Sequence, residues 1–275
     1  MLLPGYRHTL KVKSIDHKGI WLDAQGEQIF LPQRECPDEV SPEEEIEVFL
    51  YLDRDNKYKV TTKMPLAQAG EFALMKVQSI SPHGAFLDWG LEKDLLSPYS
   101  EQGQKMEEGR RYLVHVCHDE ENRPIASSRL ERFLLKENRD LSEAEEVELL
   151  IWAFTDLGAK VIVNNRYEAL LYKDEVPPGL KRGEFHTGYV LRIRADHRID
   201  VTLRRPGAEG IKDAKTVILE ALKVDGFLPL HDQSPPELIR NQLGLSKKVF
   251  KKAVGGLYKD GLVELVDQGV RLLKK

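Results

Sequence analysis

One pattern recurs three times in the first 205 residues and limits the folds that this chain can adopt. In each copy an alternating apolar stretch leads into a short turn, and a glycine then opens a second apolar stretch. The copies are residues 11–23, 76–90 and 149–163, with the glycine at Gly19, Gly84 and Gly158. Such internal repetition indicates a tandem array of similar small domains.

Each copy continues into further short segments with period-2 alternation and β-branched or aromatic residues, which predict strands. Five short strands in about 60 residues favour a small closed barrel of the OB type. We therefore predict OB-type domains over residues 1–64, 70–135 and 147–205. The Pro177-Pro178-Gly179 break leaves open whether the third copy closes into a barrel.

The acidic stretch between the second and third copies, residues 136–148, lacks strand-forming residues. We expect it to be a solvated linker. Ser142 and Glu145 have the spacing of a capping box, so the stretch could also contain a short helix.

Beyond residue 205 the apolar period changes from 2 to 3.6, which predicts helices. Gly226 is expected to end the first helix, and Ser234 and Ser246 to cap the second and third. A hairpin over residues 262–273 follows, so residues 211–275 are predicted to form a winged helix-turn-helix domain. The predicted fold class is mainly β with an α/β C-terminal module: three tandem OB-type barrels followed by a winged helix.

Composition places the chain among ordinary globular proteins. Hydrophobic residues make up 41% and charged residues 31%, with a net charge of -4, so the chain is not basic overall. No apolar run approaches the roughly 20 residues that span a bilayer, and residues 1–5 are too short for a signal peptide. Two cysteines, Cys36 and Cys117, suit a reducing compartment, so we expect a cytoplasmic protein without membrane association.

Enzymatic motifs are absent from the sequence: it has no phosphate-binding glycine loop and no nucleophile elbow. The His/Cys cluster at residues 115–118 offers too few ligands for a metal site. We therefore predict no enzymatic activity, no catalytic residues, no metal, no cofactor and no small-molecule substrate.

The third predicted helix carries the clearest charge pattern in the chain. Five lysines fall within an arc of about 140°, and no acidic residue lies between residues 246 and 259. This face could be merely solvated, but it stands where a recognition helix lies, which favours contact with nucleic-acid phosphates. The lysines are Lys247, Lys248, Lys251, Lys252 and Lys259.

Candidate base-stacking residues lie in the repeated segments. Trp21 and Phe86 follow the repeated glycine at equivalent places, and an aromatic ring on a barrel strand can stack an unpaired base or pack in the core. Lys160 takes this place in the third copy and is expected to face water, where it could meet phosphate. Tyr99 and Tyr172 follow the third strands and could stack bases or cap the barrel.

Arginines close the final predicted strands of the second and third copies. Arg129 and Arg204 stand at these strand ends, with Arg123 and Arg205 nearby. A guanidinium there could contact a phosphate or stack on a base, or could simply pair with a surface carboxylate.

These residues resemble the RNA-binding repeat of the first ribosomal small-subunit protein. The resemblance is carried by Gly84-Ala85-Phe86-Leu87-Asp88, Asp94-Leu95-Leu96, Asp119 and Ser127-Ser128-Arg129. Three such units and a winged helix resemble the bacterial conserved virulence factor B family, including YitL-like proteins. Residues 90–102 are similar to that family's second repeat, and the resemblance covers essentially the whole chain.

The resemblance implies RNA binding without enzymatic activity and a role in post-transcriptional regulation, including virulence-gene expression. By position it assigns RNA contacts to Phe86 and Arg129, to Trp21 and Lys63, and to Lys160 and Arg204. His83 and Lys18 stand where the repeat has another aromatic residue. Ser97, with Pro32 and Tyr172 in the other copies, stands where it often has histidine.

We accordingly predict a protein that binds single-stranded RNA with modest sequence preference. Two alternatives remain open: a winged-helix regulator that binds duplex DNA, and a scaffold that binds ribosome or RNA-polymerase components. Competition between duplex DNA and single-stranded RNA separates the DNA-binding regulator from the RNA-binding protein. Pull-downs of protein partners that survive nuclease treatment would favour the scaffold.

Overall fold

The computed structural model describes residues 2–53, 55–205 and 207–273. The chain divides into two compact units, residues 1–133 and 134–275. Within the described residues, the first unit holds two five-stranded sheets. The second holds a closed five-stranded barrel, three helices and a three-stranded sheet.

The first sheet, barrel 1, has the strand order β3-β2-β1-β4-β5. Its edge strands β3 and β5 lie against each other, so the sheet curls into a barrel. Alternate side chains such as Val12, Leu22 and Val48 are buried in its core. The strands are β1 (Tyr6–Asp16), β2 (Gly19–Ala24), β3 (Glu27–Pro32), β4 (Glu45–Leu52) and β5 (Tyr58–Thr61).

The second sheet, barrel 2, repeats this arrangement with the order β10-β9-β6-β7-β8. Its edge strands β8 and β10 also adjoin. The strands are β6 (Phe72–Ser81), β7 (Gly84–Leu87), β8 (Leu95–Pro98), β9 (Arg111–His118) and β10 (Pro124–Ser127).

The third sheet is a closed barrel, barrel 3, with the order β11-β12-β13-β15-β14. Closure comes from parallel pairing of β13 with β15, where Leu170 lies opposite Asp200. The Pro177-Pro178-Gly179 break falls between β13 and β14 and does not prevent closure. The strands are β11 (Glu146–Thr155), β12 (Gly158–Val163), β13 (Tyr167–Tyr172), β14 (Phe185–Ile193) and β15 (Ile199–Thr202).

The repeated glycine has the same structural role in all three barrels. It opens the second strand with a positive φ of +154° at Gly19, +150° at Gly84 and +143° at Gly158. A Cβ atom there would lie 2.1 Å from a backbone carbonyl oxygen of the third strand, that of Leu31, Ser97 or Leu171. Only glycine fits so close a backbone approach, which explains why the motif recurs.

A β-bulge accompanies each of these glycines. The register of the first strand shifts between Val12 and Ser14, between Val77 and Ser79, and between Ile151 and Ala153. Bulges increase local twist and bend a strand, and here they occur at matched places in the three barrels.

Residues 136–148 are all described and contain no helix. The Ser142 amide donates to the Glu145 carboxylate over 2.8 Å, so this pair closes a turn. Asp140 accepts hydrogen bonds from the Tyr167 hydroxyl (2.5 Å) and from Arg166 (2.6 Å), and Leu141 packs in the core of barrel 3. The stretch is therefore tied to barrel 3, unlike the freely solvated linker that we expected.

The last part of the chain folds as helices on a small sheet. Gly226, with φ +70°, follows α1, and the Ser246 hydroxyl accepts from the Val249 amide at the start of α3, as predicted. The predicted Ser234 cap is wrong, because α2 begins one residue later, after Pro235, and Ser234 accepts from the His231 amide. The elements are α1 (Gly207–Asp225), β16 (Phe227–Leu228), α2 (Pro236–Leu243), α3 (Lys247–Lys259), β17 (Val263–Val266) and β18 (Gly269–Leu272).

The predicted fold class is confirmed: the chain is mostly β, with barrel-like sheets and a helical C-terminal region. Among the described helices, none combines the length and the apolar character needed to cross a membrane.

Candidate nucleic-acid interface

Two positions after each repeated glycine, a side chain faces outward from its barrel. Trp21, Phe86 and Lys160 are half-buried, whereas their sequence neighbours are buried in the barrel cores. The register confirms that they are equivalent, because they lie opposite Phe30, Leu96 and Leu170 on the third strands. Strand alternation thus places Trp21 and Phe86 on the outer faces of their barrels.

The surroundings of these three side chains differ. Trp21 packs against Phe30 with ring centroids 5.0 Å apart, which gives barrel 1 a two-ring surface. Lys160 instead pairs with Glu168 over 2.9 Å, and its ammonium lies 4.6 Å from the centre of the Trp152 ring. Lys160 is therefore partly shielded and neutralised, which differs from the wet, phosphate-facing lysine that we expected.

The basic residues that follow the last strand of each barrel share one local backbone geometry. The backbone amides of Lys63, Arg129 and Arg204 each donate to a hydroxyl two residues earlier, at 3.1, 3.2 and 3.1 Å. The acceptors are Thr61, Ser127 and Thr202, which are all buried. This turn fixes the direction in which the chain leaves each barrel, so the cation occupies the same place in all three copies.

The closing side chains differ in exposure. Lys63 is exposed, whereas Arg129 and Arg204 are half-buried. Arg129 Nε and Arg204 Nη1 are buried and have no hydrogen-bond partner among the described residues. Burial lowers the pKa of Arg204, the charge of Glu175 raises it, and the charge of Arg240 on α2 lowers it further.

The two candidate tyrosines are not structural equivalents. Tyr99 begins a short 3-10 turn after β8, is 43% exposed, and donates its hydroxyl to the Ser81 carbonyl at 2.9 Å. Tyr172 is the last residue of β13 and is half-buried, and its hydroxyl accepts from Arg194 at 3.0 Å.

The strand register corrects one predicted equivalence between the three copies. Ser97, Pro32 and Tyr172, predicted to stand where the repeat often has histidine, are not equivalent positions. Ser97 lies opposite Ala85, which makes Leu31 and Leu171 its equivalents. Pro32 and Tyr172 instead align with Pro98, one residue further along. The expected equivalence was wrong because sequence patterns locate strands more reliably than they locate register.

A cluster of three charged side chains lies on the outer face of barrel 3, around the buried carboxylate of Asp200. Asp200, on β15, has no exposed surface and accepts from Arg194 (2.5 Å) and Arg192 (2.7 Å). Burial alone would raise the pKa of Asp200, but the hydrogen bonds from Arg194 and Arg192 outweigh it and lower that pKa.

The lysine face of α3 has the predicted geometry. Phe250, Ala253, Val254 and Leu257 are buried on the inner side of the helix. On the outer side Lys247 is half-buried, and Lys248, Lys251, Lys252 and Lys259 are exposed. Lys251 reaches Asp232 at 3.5 Å. Pairing within the described residues thus leaves most of this positive face available to phosphates.

The His/Cys cluster at residues 115–118 has a packing role. His115 is buried between Phe133, with ring centroids 3.9 Å apart, and Phe72, at 4.6 Å. Burial lowers the pKa of His115 to about 4. His118 contacts the Pro4 carbonyl at 2.7 Å. In the described part of the chain no three His, Cys, Asp or Glu residues are grouped to hold a metal ion.

A cleft of about 920 Å³ lies over the outer face of barrel 2. Phe86, Leu96 and Pro98 line it, together with Arg123 from the turn between β9 and β10. Barrel 1 adds Leu52 and Asn56. Asn56 is not among the residues predicted from the sequence, although the similar turn sequences at residues 53–57 and 119–123 indicate equivalent turns.

Two family models match this chain. One, described as an S1 domain, matches residues 4–63 and 69–129, which hold barrels 1 and 2. The other, described as a CvfB-like winged helix domain, matches residues 216–272. Both are nucleic-acid-binding domain types.

Similar proteins align over nearly the whole chain. YitL of Bacillus subtilis is 27% identical, covering 94% of this chain and 90% of that protein. Conserved virulence factor B of Staphylococcus aureus is 26% identical, covering 91% and 87%. A solved multidomain protein with nucleic acid binding domains from Streptococcus pneumoniae is 19% identical, with a TM-score of 0.42 and 98% coverage of both chains.

Proposed function

Since this chain belongs to the conserved virulence factor B family, we propose that it is a non-enzymatic protein that binds single-stranded RNA in the cytoplasm. We further propose that it regulates gene expression after transcription, and the name of its Staphylococcus aureus relative suggests virulence genes among the targets. Nucleic-acid binding follows from the domain types. The choice of RNA, of single strands and of a regulatory role is our proposal.

The observation that supports single-stranded RNA is the outward position of Trp21 and Phe86 on matched strands. An aromatic ring on an OB-type face stacks an unpaired base, whereas bases in a duplex are stacked on one another and are not available to it. The chain offers this arrangement in both S1 domains.

The lysine face of α3 supports a second, less specific grip. Lysines hold phosphates as point charges without reading sequence. Several weak contacts on one chain raise the overall affinity through effective concentration, provided that one RNA can engage them together. We therefore expect the affinity contributed by the α3 lysines to fall as the salt concentration rises. The affinity contributed by base stacking on the aromatic rings should not depend on salt.

The test is a binding titration of the full chain with a fluorescein-labelled pyrimidine-rich RNA at several salt concentrations. Phe86→Ala should weaken binding by about 1–3 kcal/mol without changing the salt slope. Lys248→Glu with Lys252→Glu should weaken all RNAs similarly and lower the slope by about two. Lys212→Glu with Lys223→Glu, exposed positions on α1, is the charge-matched control and should have little effect.

Competition with duplex DNA of the same sequence decides between the two nucleic acids. Displacement of the RNA by an equal concentration of duplex would favour a DNA-binding regulator. If the chain bound neither nucleic acid at low salt, the proposed function would be wrong.

A further inference from the structure

One side chain of barrel 1 is part of the apolar core of barrel 2. Phe49 of β4 is fully buried among barrel 2 residues and meets Trp89 edge-on, with ring centroids 5.3 Å apart. The Ala69 amide also donates to the Gly5 carbonyl at 2.7 Å. Because these contacts are buried, the two barrels hold a fixed geometry and the cleft between them is preformed.

One wall of the cleft over barrel 2 therefore belongs to barrel 1. Leu52 and Asn56 line it from the end of β4 and the turn that follows. Lys93 of barrel 2 ties this wall in place by donating to the Asp53 carbonyl at 2.8 Å. Phe86 and Leu96, paired across β7 and β8, form an apolar floor.

The charges around the cleft disfavour a phosphate. Among the described residues, its lining includes the carboxylates of Glu92 and Asp119, and Glu92 is already paired with Arg34 at 2.9 Å. The described cations of the lining are Lys93 and Arg123. Both cations are engaged: Lys93 with the Asp53 carbonyl, and Arg123 with Asp119 at 2.7 Å and Glu121 at 2.9 Å. A phosphate would therefore find these described cations already engaged, whereas a flat neutral ring would meet apolar surface and carboxylate oxygens.

We propose that this cleft takes one unpaired nucleobase bearing an exocyclic amino group, stacked on Phe86 and hydrogen-bonded to the Asn56 side-chain amide, while its phosphate stays outside. This inference rests on the proposed RNA binding and adds a base-selecting site built by two domains.

Asp119 Oδ1 accepts from the amides of Glu121 and Arg123, whereas Asp119 Oδ2 accepts from the Arg123 side chain. Each carboxylate oxygen can accept more than one hydrogen bond, so Asp119 Oδ2 retains acceptor capacity, as does Glu92, which pairs with Arg34 through Oε1. Amino groups of cytosine and adenine donate to such acceptors, and uracil lacks one.

The chain supplies a matched pair of variants for the test. Asn56 and Asn122 occupy the same position of equivalent turns, both with φ +58°. Asn56 lines the cleft, and Asn122 is not among its lining residues. Glycine accepts this conformation, so Asn56→Gly and Asn122→Gly should both fold, and only Asn56→Gly removes a side chain from the cleft.

The experiment titrates the full chain and both variants with short fluorescein-labelled homopolymers of cytidine, adenosine and uridine. The wild type should bind the cytidine and adenosine homopolymers more tightly than the uridine one. Asn56→Gly should weaken the tighter binding about three- to tenfold, as expected for one lost hydrogen bond, with an unchanged salt slope. Asn122→Gly should match the wild type.

Different failures have different meanings. If the wild type binds RNA but prefers uridine, or if the two glycine variants behave alike, the base-selecting cleft is refuted and RNA binding stands. A second variant, Phe86→Leu, keeps apolar volume but removes the ring, and unchanged affinity for every homopolymer would also refute the cleft. If the wild type binds no homopolymer, the proposed function fails together with the cleft.

Discussion

Replacing Gly84 by alanine should destabilise barrel 2 far more than the same change at Gly109. A Cβ atom at Gly84 would lie 2.1 Å from the Ser97 carbonyl oxygen and 2.9 Å from Pro98 Cα. Gly109, in the same barrel, also has a positive φ, +80°, but nothing lies within 4 Å of its added Cβ atom. The pair therefore compares a positive φ beside a backbone carbonyl, at Gly84, with a positive φ in open space, at Gly109.

The conformational part is about 1–2 kcal/mol for an alanine held at positive φ, and it should be the whole effect of Gly109→Ala. Gly84→Ala adds the displacement of β8, which cannot yield as a flexible side chain would. Overpacking that shifts backbone costs about 1–3 kcal/mol more. We therefore expect losses of about 1–2 kcal/mol at Gly109 and about 2–5 kcal/mol at Gly84.

Because a chain with several domains does not unfold in one step, the assay must report on barrel 2 alone. Native-state hydrogen exchange of the β9 amides meets this need, since the free energy of opening is read at named strands. Equal losses in the two variants would show that the carbonyl contact does not limit the site. The explanation of the repeated glycine would then be wrong.

Two further predictions concern pH and buried charge. Burial lowers the pKa of His115 to about 4. Between about pH 6.5 and pH 4 this histidine is therefore protonated in the unfolded chain and neutral in the folded chain. Barrel 2 should therefore lose stability as pH falls from about 6.5 to about 4, and His115→Phe should remove this dependence from the free energy of opening measured by hydrogen exchange of β9. Asp200→Asn should cost barrel 3 about 1–3 kcal/mol, because the partly exposed Arg192 and Arg194 lose charge-assisted hydrogen bonds to a buried anion. The wild-type contribution of Asp200, whose pKa is lowered, should persist above about pH 4 and fade below it. Hydrogen exchange of β14 in barrel 3 should detect both the loss of stability in Asp200→Asn and the pH dependence of the wild type. An unchanged exchange profile for Asp200→Asn would show that the Asp200 ion pairs do not stabilise barrel 3.

The strands of this protein were predictable because their signals are local. Period-2 alternation predicted five strands in each of the three domains, and the recurring glycine marked the start of the second strand in each. The lysine face of α3 followed in the same way from the spacing of Lys248, Lys252 and their neighbours along one helix.

Features that depend on contacts between distant residues could not be read from the sequence. The equivalence of Ser97 with Leu31 and Leu171 required the strand register. The partial neutralisation of Lys160 required knowing that Glu168 lies beside it. The cleft required the docking of barrel 1 on barrel 2, which no periodicity encodes.

The burial of Phe49 against Trp89 affects how this protein should be dissected into fragments. Barrel 2 produced without barrel 1 would expose the apolar surface that Phe49 covers, and barrel 1 alone would expose Phe49 itself. Single-barrel fragments should therefore aggregate or bind ligands non-specifically, and their behaviour would say little about the intact molecule. Residues 1–133, which form one compact unit, keep both sides of this contact in a single fragment.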